Sequence, residues 1–213
     1  MSMASAGWWI AASLLTTPVW AQADPNAEKL HGLGRALHQD MAKRAKPFDD
    51  ASVQAYVTAV GNRLVQQLNA PRREYRFEVL NTSDAVAPVA FHDGAVVVPA
   101  AFLARVADEA ELARGIAHAL GHTELPPPVI QSRPGTIPLL FLSCDRTSVV
   151  VPIGMRPKQQ AMEEDASRFG DDLAQRTAAT PDPAAFTNMQ QTVREVLNIR
   201  APQPPSLYRR AKQ

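Results

Sequence analysis

The sequence predicts an α+β fold that is mainly helical, with a small three-stranded sheet packed beside one central helix. Three observations support this. Apolar residues recur at helical spacing over most of the chain, while short stretches near its middle have the pattern of strands. A third observation is the Asp93-Gly94 pair, a hairpin signal between two of those stretches. The 213 residues suit one domain with a sizeable core once a leader is removed.

The first helix is predicted from about Asn26 to Ala45, because its leucines are spaced three and four apart. His31 and His38 lie seven residues apart on it, too far to share a metal, and we interpret both as surface residues. Asp50 is the predicted N-cap of a second helix. The apolar stripe of that helix is Val53, Val57, Val60, Leu64 and Leu68.

Three strands are predicted next. Residues Tyr75 to Val79 alternate apolar and charged side chains, the period of a half-buried strand. The second strand runs from Val86 to Phe91 and the third from Ala95 to Val98, with the hairpin turn between them. Pro99 ends the third strand and starts a short helix through Leu103.

The central helix carries the chemistry. Asp108 is its predicted N-cap, and Glu111 completes a capping box. His118 and His122 are four residues apart, so both imidazoles face the same side and can reach one metal ion. The zinc-peptidase form of this element is H-E-x-x-H, in which the Glu is the general base. Here Ala119 stands at that position.

A zinc site needs a third protein ligand. Glu163 is the candidate, on a helix predicted from Gln159 to Ala174. The alternative for the histidine pair is two side chains on a half-buried helix face, and for Glu163 a solvated acidic face. Asp182-Pro183 opens a last helix that ends at about Leu197.

Four longer sequence motifs of one known protein family can be compared with this chain. The run D-x-x-V-x-x-Y-V…G-x-x-L is matched by Val53, Tyr56, Val57, Gly61 and Leu64. The segment D-E-A-E-L-A…A-H-E-x-G-H matches Asp108 to His122 except at Ala119. E-x-x-x-D-x-x-G matches Glu163 to Gly170, with Ser167 in place of the Asp. H-P-P-[ST]-x-x-R is similar to Gln203 to Arg209.

This order of motifs resembles a zinc-peptidase family that includes the CAAX prenyl proteases, the heat-shock protease HtpX and periplasmic quality-control proteases. The resemblance implies a zincin-like (gluzincin) metallopeptidase domain with one zinc ion on His118, His122 and Glu163. It also implies a polypeptide substrate that lies extended beside the edge strand of the sheet. In this chain that strand would be Ala95, Val96, Val97 and Val98.

The positions at which this chain departs from the family pattern are those that serve metal binding and catalysis in that family. Ala119 lacks the carboxylate that takes a proton from the attacking water, and Ser167 replaces a carboxylate that orients a ligand histidine. Gln203 stands where relatives carry a histidine near the metal, and Arg209 closes the same tail motif. We therefore expect a zinc-binding pseudo-peptidase that acts by binding polypeptide. The alternatives are an active peptidase, with another base or with its natural Glu replaced by Ala119, and a metal-free structural domain.

The ends of the chain predict its location. Residues 1–23 have an apolar run followed by Ala21-Gln22-Ala23, the pattern of a cleaved signal peptide, so we expect export to a bacterial periplasm. An uncleaved membrane anchor is the alternative. Residues 24–205 form one predicted domain and residues 206–213 a basic tail, for which peripheral membrane contact is a minor alternative. The net charge of +1 gives no support for nucleic-acid binding. The single cysteine, Cys144, excludes an intramolecular disulfide.

Overall fold

The computed structural model describes residues 27–82, 87–125, 156–177 and 182–199. The helices in these ranges are α1 (Ala27–Arg44), α2 (Ala51–Gln66), α3 (Ala100–Leu103), α4 (Glu109–Glu124), α5 (Arg156–Arg176) and α6 (Pro183–Val196). The strands are β1 (Lys46–Pro47), β2 (Arg76–Asn81), β3 (Val89–Ala90) and β4 (Ala95–Pro99). The predicted leader, Cys144, Gln203 and Arg209 lie outside the described residues. The predicted α+β class is confirmed.

The sheet has four strands in the order β1-β2-β4-β3, so the prediction of three strands was wrong. The missed strand is β1, whose Lys46 pairs antiparallel with Asn81 of β2. Two residues are too short to produce a periodic pattern. Strands β3 and β4 form the predicted antiparallel hairpin, and Gly94 in its turn has φ +92°.

Strand β4 is a central strand, so the prediction that Ala95 to Val98 form the edge was also wrong. It pairs parallel with β2 and antiparallel with β3, and all of its residues are buried. The alternating pattern and the hairpin signal predict strands and the pairing of strands that are neighbours along the chain. They cannot show that β2 pairs with the other side of β4. The edge beside β4 is β3.

The sheet separates two apolar layers. Strand residues Phe77, Val79, Val96 and Val98 face the main core, which α2, α4 and α6 complete. The opposite face of the sheet packs against Leu37 and Met41 of α1. The main core therefore lies between the sheet and the helix that carries the histidine pair.

His38 is not a surface residue, contrary to the prediction. Its side chain is 15% exposed, with Nε2 at 3.1 Å from Glu78 Oε2 and Nδ1 at 3.4 Å from Asp93 Oδ2. It lies where α1 crosses the sheet, and a helical pattern alone does not show which strand a helix covers. His31, by contrast, is exposed, as expected.

Aspartates cap three helices, as the sequence predicts. Asp50 Oδ1 accepts hydrogen bonds from the amides of Ser52 and Val53, each at 2.9 Å. The Ser52 hydroxyl and these amides lower the pKa of Asp50. Asp108 and Asp182 cap α4 and α6 in the same way. Within the described residues, none of the helices combines the length and apolarity needed to cross a bilayer.

Candidate metal site

Helix α4 presents His118 and His122 from one face. Asp108 Oδ1 accepts from the amide of Glu111 at 2.8 Å, while the Glu111 carboxylate accepts from the amide of Ala107 at 2.6 Å. This double cap fixes the start of the helix. The two Nε2 atoms lie 3.2 Å apart, with side chains 24% and 15% exposed. At this exposure the two rings remain accessible to a ligand, but they are more buried than side chains on a solvated helix face.

Helix α5 brings Glu163 to the same point. Its Oε2 lies 3.3 Å from His118 Nε2 and 3.5 Å from His122 Nε2. Tetrahedral zinc with bonds of about 2.0–2.1 Å requires donor atoms about 3.3–3.4 Å apart. The three observed separations agree with that value, and two imidazoles with one carboxylate form a donor set that zinc accepts. The residues therefore fit a zinc ion and leave a fourth position open.

Two glycines allow the close approach of α4 and α5. A Cβ at Gly170 would lie 2.8 Å from the backbone nitrogen of His118. A Cβ at Gly121 would lie 3.1 Å from Cα of Ala166. The backbones of α4 and α5 are therefore in contact beside His118. This contact brings the Glu163 side chain within reach of both imidazoles.

Electrostatics also favour an ionised ligand. Burial of the Glu163 carboxyl opposes its ionisation, but hydrogen bonds from His118 and His122 outweigh burial and lower its pKa to about 2. A carboxylate that stays charged at neutral pH is the form that coordinates a cation.

Two of the departures from the family pattern fall inside this site. Ser167 lies one turn beyond Glu163, and its Oγ is 3.4 Å from Nδ1 of His118. Ala119 is completely buried in the main core beside the first histidine. The position that carries a general base in H-E-x-x-H therefore offers only a methyl group.

Three carboxylates on the two helices that carry the ligands are engaged elsewhere. Glu111 is held by the cap of α4. Glu164 accepts a hydrogen bond from Gln160 at 2.9 Å, and Asp165 pairs with Arg168 on the same helix. None of these three replaces the missing base in the arrangement that the structure shows.

The surroundings of His92 were not predicted from the sequence. The hairpin signal at Asp93-Gly94 indicates only that a turn lies beside His92, and His92 does lie in the turn between β3 and β4. Burial lowers its pKa to about 4, and the charges of Arg73, Arg72 and His122 add to this effect. Arg73 donates to the carbonyl oxygens of both His92 and Thr123, so the turn lies close to the end of α4 that carries His122. The sequence carries no signal for this, because Arg73 lies 19 residues from His92 and 50 residues from Thr123 along the chain.

The predicted site residues divide into three groups. His118, His122, Glu163 and Ser167 come together. The segment Ala95 to Val98 lies in the interior of the sheet, and Gln203 and Arg209 lie outside the described residues. Within the described residues, these two histidines and Glu163 are the group whose donor atoms converge for a metal ion.

Comparisons with known proteins relate part of this chain to a known family. The sequence model for peptidase family M48 matches residues 51–132, which include both histidines and end before Glu163. The β-barrel assembly-enhancing protease of Yersinia pestis is 31% identical over 90 residues, or 42% of this chain and 18% of that protein. The match spans less than a fifth of the relative's length. These matches confirm the relationship that the motifs predicted: residues 51–132, with the helix that carries His118 and His122, are related to the zinc metallopeptidases of family M48.

Proposed function

We propose that this chain is a zinc-binding relative of the M48 peptidases that has lost efficient hydrolysis and acts by binding polypeptide. One observation carries the proposal: His118, His122 and Glu163 converge at zinc-donor distances while Ala119 occupies the position of the base. This chain retains the two histidines and the glutamate that would bind zinc, but it lacks the glutamate that would accept the proton.

The chain's own residues define what the site can do. His118 and His122 would hold the ion through Nε2, and Glu163 through Oε2. A zinc ion there would supply a Lewis acid for amide hydrolysis. At position 119 a carboxylate would accept a proton from the attacking water, and the methyl group of Ala119 cannot. The loss of a general base typically slows a reaction by about 10²- to 10⁴-fold.

The expected client is an unfolded or extended polypeptide. Strand β3 is the edge of the sheet beside β4, so an added strand would pair with β3 instead of with β4. The name of the Yersinia pestis relative refers to β-barrel assembly. Together with the signal-peptide pattern of residues 1–23, that name supports export to the bacterial envelope.

Zinc stoichiometry tests the metal site. The exported form is purified without a metal-affinity tag, dialysed against zinc and measured by atomic emission. We expect about one zinc per chain. His118→Ala should abolish this, while His31→Ala, which removes an exposed histidine of α1, should leave it unchanged. Equal zinc content in all three proteins would exclude the site and favour the metal-free structural domain.

A peptidase assay separates a pseudo-peptidase from an active enzyme. Unfolded casein is incubated with the wild type, with Ala119→Glu and with Ala119→Gln, all loaded with zinc. The glutamine variant has the size of the glutamate variant but no base. We expect background cleavage by the wild type and the glutamine variant. Cleavage by the wild type that the chelator o-phenanthroline abolishes would identify an active peptidase with a different base.

A further inference from the structure

The second histidine lies very near the end of its helix. Helix α4 ends at Glu124, two residues after His122, and Leu125 is already extended with φ −71° and ψ 147°. The last carbonyls of a helix have no partners within it, and terminal turns open most easily. Without an external support, fraying at this end would displace His122 from His118 and Glu163.

The segment Arg72–Tyr75, termed the brace below, contacts this end of the helix. The hydroxyl of Tyr75 lies 2.8 Å from Thr123 Oγ1 and donates to Glu124 Oε1 at 2.5 Å. Burial, together with the Glu124 carboxylate, raises the pKa of Tyr75, so the phenol keeps the proton that it donates. The backbone amide of Arg72 donates to the same carboxylate at 3.2 Å.

Arg73 makes the contact that links the helix to the sheet. Its Nη2 donates to the carbonyl oxygen of Thr123 at 2.8 Å, and its Nη1 donates to the carbonyl oxygen of His92 at 2.8 Å. One planar guanidinium therefore joins the last turn of α4 to the turn between β3 and β4. Its positive charge also lies at the negative end of the helix dipole.

The setting of Arg73 indicates more than a surface contact. Its Nε is buried and has no hydrogen-bond partner within the described part of the chain. A buried donor without a hydrogen-bond partner lowers the stability of the fold, so the presence of Arg73 at this position calls for an explanation. The fixed fork of the guanidinium is suited to two carbonyls at set positions, which a single ammonium group cannot reach together.

We propose that the brace, and Arg73 above all, is a positioning device that holds His122 in the metal site by fixing the C-terminal end of α4 against the turn at His92. This inference rests on the proposed zinc site. Arg73 acts through His122 and does not itself contact the metal. In the sequence three prolines (residues 126–128) follow Leu125, and proline cannot supply the amide donor that a further helical turn needs, so the support at this end comes from the brace.

The test compares zinc affinity among Arg73→Met, Arg73→Lys and Arg76→Met. The matched control is Arg76, whose hydrogen bond and ion pair within the described residues go to Asp93 of the same turn and not to α4. Dissociation constants are measured by competition with a chromogenic chelator. We expect Arg73→Met to weaken zinc binding by about 10- to 100-fold, the range typical of groups that orient metal ligands. Arg73→Lys should recover part of that loss, and Arg76→Met should stay within about twofold of the wild type.

Cobalt provides a readout that a purely structural role would not move. Visible absorption of the Co²⁺-loaded proteins reports the number and geometry of the ligands. We expect Arg73→Met to lose intensity in the tetrahedral bands at saturating cobalt, as one imidazole withdraws. If Arg73→Met does not fold by circular dichroism, Tyr75→Phe and Arg73→Lys provide the same comparison, each with an expected rise in the dissociation constant.

The outcomes distinguish the two proposals. A wild type that binds no zinc would overturn both. A wild type that binds zinc, with unchanged affinity and cobalt spectra in the Arg73 and Tyr75 variants, would overturn the brace alone. Weaker binding in the Arg73 variants and normal binding in Arg76→Met would support it.

Discussion

The hydroxyl of Ser167 lies 3.4 Å from Nδ1 of His118, across the ring from the Nε2 atom that faces Glu163 and His122. A carboxylate at this position would accept a strong hydrogen bond from Nδ1–H, which would fix the orientation of the ring and increase the donor strength of Nε2. The serine gives a long contact instead. Ser167 is therefore a weaker partner for the ring of His118 than a carboxylate would be.

Restoring the carboxylate should strengthen the metal site. We expect Ser167→Asp to lower the dissociation constant for zinc by about tenfold, since losses of such partners typically cost 10- to 100-fold. Chelator competition at pH 7.5 measures the effect. Ser167→Asn has the same shape without the charge and should give a smaller gain. An unchanged constant in Ser167→Asp would mean that the ring of His118 is already fixed by its packing.

Much of this site could be predicted from the sequence because its determinants are local. The i,i+4 spacing of His118 and His122 places both on one face of any helix, and Asp108 defines where that helix starts. Glu163 was different. It lies on another helix, and only the resemblance to a family connected it with the histidines.

Other features depended on packing that no local pattern encodes. The parallel pairing of β2 with β4 joins segments that are not neighbours along the chain, so β4 was wrongly expected at the edge. The burial of His38 results from the place where α1 crosses the sheet. The bridge from Arg73 to Thr123 spans 50 residues, and the Arg72-Arg73 pair gave no sign of its partner.

The backbone contact between α4 and α5 gives a second prediction. Gly170→Ala would place a Cβ 2.8 Å from the backbone nitrogen of His118, so the helices must separate. We expect a loss of about 1–3 kcal/mol in the free energy of unfolding and weaker zinc binding. Gly32 provides the control, because a Cβ there meets nothing within 4 Å.

Alanine has a higher helix propensity than glycine, so the control Gly32→Ala should raise the free energy of unfolding by about 0.5–1 kcal/mol. Urea titration of the zinc-free proteins measures both variants. Equal stability of Gly170→Ala and the wild type would contradict the close helix contact.

A buried network at the start of α4 gives a third prediction. Glu109, 4% exposed, accepts hydrogen bonds from the hydroxyl of Tyr56 and from Arg63. Burial and Glu109 raise the pKa of Tyr56, which keeps this donor protonated. We expect Glu109→Gln to lower the free energy of unfolding by about 2 kcal/mol, because it leaves Arg63 without its counter-charge.

Tyr56→Phe removes one hydrogen bond and should lower it by about 1 kcal/mol. Because both changes act on one carboxylate, the double variant should lose less than the sum. Asp40→Asn, which breaks the exposed pair with Arg44, is the control and should change stability by less than about 0.5 kcal/mol. Strict additivity in urea titrations would contradict a shared network.

The last prediction concerns pH. Burial and neighbouring positive charges hold the pKa of His92 at about 4, below the ordinary value of 6.5. Between these values the unfolded chain binds a proton that the folded chain does not, so stability falls as the pH is lowered from about 6.5 to 4. The difference corresponds to a loss of about 3 kcal/mol at pH 4. His92→Gln cannot titrate and should flatten this part of the profile. Urea titrations of zinc-free protein from pH 4 to 8 measure it, with the exposed His31→Gln as control. A His92→Gln profile as steep as that of the wild type would place the responsible proton on another group.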